Sequence, residues 1–251
     1  MADRAPAGSA SRTRPVPPVS AARPPHPRAG REFGDGPLSR AAATVHALLV
    51  VELSLVIATL PGLVPLLLLD RDASNIPLAV ACGVPVGPAV SAAVYALRHQ
   101  RPDLTDLRPA ALFWRGYRAN LGGVLCLWVP LLLWLAVIAV NLTNLGAAGV
   151  PAWWGALLVA VAVAALVAGG NALVIASLFA FRTRDVVRLA VYFLVRTPAV
   201  AAGNACLLLL AAGIVVAASE AVLTLLGSVL TLAFLRMSTP IVDAIEREFT
   251  R

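Results

Sequence analysis

Residues 41–69 read AAATVHALLVVELSLVIATLPGLVPLLLL, and this stretch decides the fold class. Its only acidic or Arg side chain is that of Glu52. A helix needs roughly 20 apolar residues to cross about 30 Å of hydrocarbon. Because residues 41–69 exceed that length even with kinks at Pro61 and Pro65, they predict a membrane-spanning helix.

Further apolar stretches follow along the chain, and each is close to the length of one crossing. They cover residues 76–97, 120–142, 152–181, 197–219 and 221–237. The last two together are too long for a single crossing, so the chain must reverse at Ser219 and Glu220. The sequence therefore predicts an all-α polytopic membrane bundle of about six transmembrane helices over residues 41–251.

The composition excludes a soluble globular domain. Hydrophobic residues make up 59% of the chain and charged residues only 13%, whereas soluble domains carry roughly 25% charged residues. Residues 1–40 differ from the rest because they are rich in Arg and Pro, which predicts a disordered cytoplasmic tail. All basic residues are Arg, which, with abundant Ala, Val, Leu, Pro and Gly, is typical of a bacterium with a high-GC genome.

The Arg residues lie between the apolar spans and indicate the orientation of the bundle. All but Arg71 fall in the tail, in the loops after the second and fourth spans, or in the C-terminal segment. Cytoplasmic loops hold the positive charge in membrane proteins. The pattern predicts both termini in the cytoplasm, a bacterial inner (plasma) membrane location and contact with the lipid bilayer. It gives no reason to expect a nucleic acid partner.

Two basic segments on the cytoplasmic side are candidates for interaction with lipid or with a partner. Residues 108–121 read RPAALFWRGYRANL, and a helix there places an aromatic face beside a basic face. The aromatic face holds Phe113, Trp114 and Tyr117, the basic face holds Arg115 and Arg118, and the segment 182–196 adds Arg184 and Arg188. The pattern predicts a helix in the headgroup layer that leads into the third span; a helix that docks a partner is the alternative.

A few polar residues and helix breakers inside the spans are the candidate ligand site. They are Glu52 in the first span, Pro85, Gly87 and Pro88 in the second, Asn171 in the fourth and Asn204 in the fifth. A carboxyl within a span is costly and is often functional, and broken helices often form transporter sites. Glu52 has two interpretations, a coupling or binding carboxylate and a structural carboxyl that hydrogen-bonds a neighbouring helix.

Catalytic and metal-binding signatures are not evident in the sequence. It contains no P-loop, GxGxxG or HExxH motif, and His26, His46 and His99 do not cluster. The cysteines Cys82, Cys126 and Cys206 lack metal-site spacing and are interpreted as small buried hydrophobic residues. We therefore predict no cofactor, no metal site and no catalytic residue, and enzymatic activity is not favoured.

Three segments carry a resemblance to a known family. They are residues 32–38 (EFGDGPL) with Thr59-Leu60-Pro61, residues 85–89 (PVGPA) leading to 92–95 (AAVY), and residues 113–120 (FWRGYRAN). Over about residues 32–250 the chain resembles the YesL-like bacterial membrane proteins, a family of unknown function. The resemblance implies an accessory role in sugar uptake, since such proteins are often encoded beside carbohydrate ABC transporters. At the position of Glu52 the family more often has Asn, which fits a structural hydrogen bond better than proton coupling.

Three roles remain open from the sequence. The first is an accessory or regulatory component of carbohydrate transport, with an ABC transporter or sensor component as partner. The second is a small secondary transporter, alone or as a homo-oligomer, with its site at the broken second span. The third is a membrane enzyme that acts on lipid.

Overall fold

The computed structural model describes residues 37–70, 72–100 and 108–249, and these are helical with short connections and no strand. The predicted all-α class is confirmed. Most of the predicted disordered tail, residues 1–36, lies outside the described residues, as do Arg71 and residues 101–107. Residues 37–40, which the sequence assigned to the tail, form the beginning of the first helix.

The described residues form ten α-helices and one short 3₁₀-helix, Ala73–Asn75. The α-helices are α1 Pro37–Leu68, α2 Ile76–Cys82, α3 Val86–His99, α4 Pro109–Thr143, α5 Ala152–Leu178, α6 Thr183–Arg196, α7 Pro198–Ala217, α8 Glu220–Leu225, α9 Gly227–Met237 and α10 Thr239–Phe249. Ser219 begins α8 as its N-cap, because its side chain accepts a hydrogen bond from the N–H of Val222 (3.3 Å). The helix break that the sequence required near Ser219 and Glu220 is therefore observed.

Five helical segments are long and apolar enough to cross a membrane. They are Ala41–Leu68, Ala73–His99, Pro109–Thr143, Trp153–Leu178 and Pro198–Ala217, and all belong to the described part of the chain. A sixth is counted if α9 and α10, which are bent by 48° relative to each other, form one span.

The two ends of the bundle carry opposite charge. At one end, Asp70, Asp72 and Glu220 line the same cleft. Hydrogen bonds from the hydroxyl and the N–H of Ser74 hold the pKa of Asp72 below its usual value, so this side chain stays negative. We call this the acidic end. The opposite end, where α3 and α5 end and α4 begins, exposes Arg side chains and is called the basic end.

The chain after α7 is divided into three short helices, α8, α9 and α10. Glu220 at the start of α8 lies at the acidic end, whereas Ile241 and Ile245 of α10 pack beside α5 and α6 at the basic end. The segment from Glu220 to Met237 is divided at Leu226 into α8 and α9. The segment α8–α9 therefore leads from the acidic end towards the basic end, where α10 follows it.

Small residues allow the helices to approach closely. A Cβ atom on Gly87 of α3 would overlap the ring of Trp128 of α4, and one on Gly116 of α4 would come within 2.8 Å of the Tyr95 ring. Such close contacts between small and large residues are typical of membrane helices. They fix α3 against α4 along much of the length of α3.

Two buried clusters hold the remaining helices. The first joins α1, α3 and α4 through Val51, Leu55, Ala58, Ala89, Ala92, Ala93, Ala96 and Phe113. The second joins α5, α6, α7 and α10 through Ala172, Ile175, Val186, Ala190, Phe193, Val200, Ile241 and Ile245. Both clusters include residues of the basic end, such as Phe113 and Ile245.

The cysteines differ from their prediction in part. Cys82 is buried as expected, whereas Cys126 and Cys206 are exposed on the protein surface. All three are free thiols. An apolar membrane protein presents apolar residues to lipid as well as to its core, so an apolar span does not imply burial in the protein.

Candidate functional site

The two predicted asparagines meet in the interior of the bundle. Asn204 of α7 donates from its Nδ2 to Oδ1 of Asn171 of α5 at 3.3 Å, and the residues are 2% and 1% exposed. Among the described residues, Nδ2 of Asn171 and Oδ1 of Asn204 have no hydrogen-bond partner. If both side-chain amides were flipped, Asn171 would donate to Asn204. One amide N–H and one amide oxygen would still have no hydrogen-bond partner.

A cavity of about 210 Å³ lies beside this pair, between α3, α4, α5, α7 and α9. Asn204 and the buried Thr231 of α9 are polar groups in its wall. The rest of the wall is mainly apolar and includes Leu207, Leu230 and Phe234. The cavity therefore combines an apolar volume with an amide that has unused hydrogen-bonding capacity.

Glu52 does not line this cavity but supports the helix that does. Its Oε2 accepts a hydrogen bond from the backbone N–H of Ser228 at 2.6 Å. Ser228 lies in the first turn of α9, whose N–H groups lack partners within the helix. The N-cap residue Leu226 offers no side-chain acceptor. Glu52, which belongs to α1, therefore caps α9 instead. Oε1 of Glu52 is buried and has no partner among the described residues.

The break in the second span lies slightly earlier than the sequence indicated. Helix α2 ends at Cys82, Pro85 is the N-cap of α3, and Gly87 and Pro88 are buried inside α3. The carbonyl oxygen of Gly83, in the turn, accepts a hydrogen bond from Nε1 of Trp128 (3.0 Å). A side chain of the neighbouring helix thus satisfies a backbone group freed by the break, as irregular backbone within a membrane requires.

The structure brings together only part of the predicted site. Asn171 and Asn204 are in contact, and Gly87 packs against Trp128, which lines the cavity. Pro85 lies in the turn before α3, two residues from Gly87. Glu52 acts on α9 at Ser228, about one turn before Thr231.

Sequence reasoning missed Trp128, Ser228 and Thr231. Each lies in an apolar span among Leu and Val residues, and Ser and Thr are tolerated there because they bond to the preceding turn. The Trp128 indole N–H gave a weak signal, since a buried Trp usually needs a hydrogen-bond acceptor.

The predicted interfacial helix is not a separate element, because α4 runs without interruption from Pro109 to Thr143. Phe113 is fully buried in the first cluster, so it packs the core and does not contact the headgroup layer. Trp114 and Tyr117 are partly buried against the same cluster. Arg115 and Arg118 are exposed, as are Arg184 and Arg188 of α6.

The residues of the cavity wall suit binding better than catalysis. Amides and hydroxyls orient a ligand by hydrogen bonds, and an apolar wall excludes water. Among the described residues, no group of three or more His, Cys, Asp or Glu side chains is placed to hold a metal ion.

Comparison with known protein families finds a match over part of the chain. A family model described as "Protein of unknown function, DUF624" matches residues 48–142, which extend from α1 almost to the end of α4. This chain is similar to that family over the matched segment. No curated protein and no solved structure matches the chain.

Proposed function

We propose that this chain is a multi-pass protein of the bacterial inner membrane that binds a small ligand inside its helix bundle and works as a small transporter. The observation that supports the proposal best is the cavity at Asn204. A buried amide there has hydrogen-bonding capacity that no described residue uses. An unsatisfied buried polar group costs roughly 1–3 kcal/mol, and a bound ligand with a hydroxyl or amide would offset that cost.

The break between α8 and α9 also favours a transporter. Transporters bind substrate where helices are discontinuous near the middle of the membrane. Thr231, in the wall of the cavity, belongs to α9, and α9 begins at the break between α8 and α9. Its first turn is capped by Glu52 from a distant part of the chain. The cavity thus adjoins a discontinuous helix whose N-terminus is held in place.

Cysteine accessibility tests this proposal without knowledge of the ligand. In a variant with Cys82, Cys126 and Cys206 replaced by Ala, Thr231→Cys places one thiol in the cavity wall. Ser228→Cys is the matched control, because Ser228 is also buried and lies on the same helix, but not in the wall of the cavity. A charged, water-soluble thiol reagent is then applied to each side of sealed vesicles.

A transporter cavity must open to water, so the reagent is expected to label Thr231→Cys and to spare Ser228→Cys. Labelling from both sides would indicate alternating access. If the charged reagent reaches Thr231→Cys from neither side, the cavity is closed to water and the transporter role is wrong.

The basic end favours a second candidate function, an accessory component of a transport system. Arg115 and Arg118 of α4 and Arg184 and Arg188 of α6 are exposed there. Arginine is well suited to bind carboxylates and phosphates of a partner. The resemblance to YesL-like proteins implies that this system transports carbohydrates. The partner would then be an ABC transporter or a sensor component.

Co-purification distinguishes this second candidate. Replacement of Arg115, Arg118, Arg184 and Arg188 by Gln should release a transporter or sensor subunit that the unmodified protein retains in stoichiometric amount. A matched control replaces Arg236 and Arg247, which are exposed on α9 and α10. Recovery of a homo-oligomer alone from mild detergent would contradict the accessory role. The third role, an enzyme acting on lipid, stays a hypothesis from the sequence.

A further inference from the structure

A second cavity, of about 310 Å³, lies at the basic end of the bundle. It is enclosed by α3, α4, the end of α5 and the beginning of α6, and it shares no lining residue with the cavity at Asn204. Its polar lining residues are Tyr95, Asn120, Ser177 and Thr183. It is therefore a separate site with a more polar wall.

A hydrogen-bond network fixes the back of this cavity. The Ser177 hydroxyl lies 2.8 Å from the Ser91 hydroxyl and also contacts the carbonyl oxygen of Leu173. Asn120 donates from Nδ2 towards the Ser91 hydroxyl (3.4 Å) and the Ser177 carbonyl oxygen (3.3 Å). Ser91 and Ser177 are 0% and 3% exposed. These contacts tie together α3, α4 and α5 and hold the Asn120 side chain in one orientation.

The network leaves polar groups available to a ligand. The bonds of Asn120 among the described residues use its amide nitrogen, so its amide oxygen is free to accept a hydrogen bond. Tyr95 is half-buried and Thr183 is exposed, and both residues, which carry hydroxyl groups, line the cavity. The cavity thus offers several acceptors and donors close together.

The character of the wall indicates the class of ligand. Among its described lining residues none is charged, so no group there would neutralise a charged ligand in a partly buried site. Phe179 and Phe181 also line it, and their rings stack with centroids 5.7 Å apart, which gives an apolar face. The volume lies at the small end of the range for ligand sites.

We infer that this cavity is a binding site for a small uncharged molecule that carries several hydroxyl or amide groups. It is independent of the transporter proposal, because the two cavities have different walls and different test variants. By the predicted orientation, it opens on the cytoplasmic side.

Two adjacent glycines allow a matched test of the site. Gly123 lines the cavity and Gly122 does not, and a Cβ atom on either would meet nothing within 4 Å. Gly123→Leu should therefore fill the cavity without disturbing the fold, and Gly122→Leu is its control. Asn120→Leu removes the polar group, with Asn141→Leu, an exposed position on the same helix, as its control.

The experiment is saturation-transfer NMR on the protein in lipid nanodiscs, with xylitol and glucose as neutral probes and glucose 6-phosphate as a charged one. The unmodified protein should bind the neutral probes in the millimolar range and should show no binding of the charged probe. Binding should weaken at least about tenfold in Gly123→Leu and Asn120→Leu and be unchanged in both controls. Thermal unfolding of each variant checks that it is folded.

Three results would overturn the inference. They are no saturation transfer to either neutral probe, binding of the phosphate ester as strong as that of glucose, and unchanged binding in a folded Gly123→Leu protein. None of them bears on the accessibility of Thr231→Cys, so the inference and the transporter proposal fail separately.

Discussion

At the scale of single residues, polar side chains in the interior bind one another or the backbone across helices. Glu52 caps α9, Asn204 pairs with Asn171, and Trp128 binds the carbonyl of Gly83. The sequence identified Glu52 and both asparagines because polar residues stand out in apolar spans. It could not identify their partners, because these depend on how distant helices pack.

Glu52→Leu should loosen the beginning of α9, since the N–H of Ser228 loses its acceptor. Loss of a partner for a buried donor costs roughly 1–3 kcal/mol, which corresponds to about 5- to 150-fold faster amide hydrogen exchange at Ser228. Glu52→Gln keeps an acceptor oxygen and should change this rate much less. Exchange at Ser228 that is equally slow in all three proteins would show that Glu52 is not the cap.

At the scale of helices, close contacts and breaks organise the bundle. Pro85 and Gly87 signalled an irregular second span, and the structure has a break there, between Cys82 and Val86. The break at Leu226 had no comparable signal, because no proline stands there. The burial of Phe113 was also missed, since an aromatic arc on a helix is equally suited to lipid and to a protein core.

Gly87→Ala should destabilise the packing of α3 on α4, because its Cβ atom would overlap Trp128. Overpacking typically costs about 1–3 kcal/mol. Gly122→Ala is the control, since it meets nothing within 4 Å and should stabilise the helix by up to about 1 kcal/mol. Denaturant unfolding in detergent measures both, and equal stability of the two variants would contradict the close contact.

Helix α10 should be held by packing more than by its ion pair. The Arg98–Glu246 pair (3.0 Å) is 42% and 48% exposed, and exposed pairs contribute about 0.2–1 kcal/mol. Ile245 is fully buried, and Ile→Ala at such a site costs about 2–5 kcal/mol. Limited trypsin cleavage after Arg247 should therefore accelerate far more in Ile245→Ala than in Arg98→Gln; the reverse order would refute this view.

At the scale of the whole molecule, the central feature is a helical bundle with an acidic end and a basic end. Hydropathy was sufficient to predict the long apolar helices, because it is a local property of the sequence. The orientation drawn from Arg placement stays a prediction. Hydropathy could not predict the break between α8 and α9, because the length and composition of residues 220–237 suit a single helix. We propose that the basic end lies in the cytoplasm and that α8–α9 is the sixth crossing.

Labelling of single cysteines on sealed, right-side-out vesicles tests this arrangement most directly. In the protein without native cysteines, a membrane-impermeant thiol reagent is applied to Ala73→Cys, Asp185→Cys and Asp243→Cys, which are exposed positions at the acidic end, on α6 and on α10. The account predicts immediate labelling of Ala73→Cys and labelling of the other two only after permeabilisation. Labelling of Asp243→Cys from outside would mean that the chain crosses the membrane five times. Labelling of Asp185→Cys from outside would mean that the bundle has the opposite orientation.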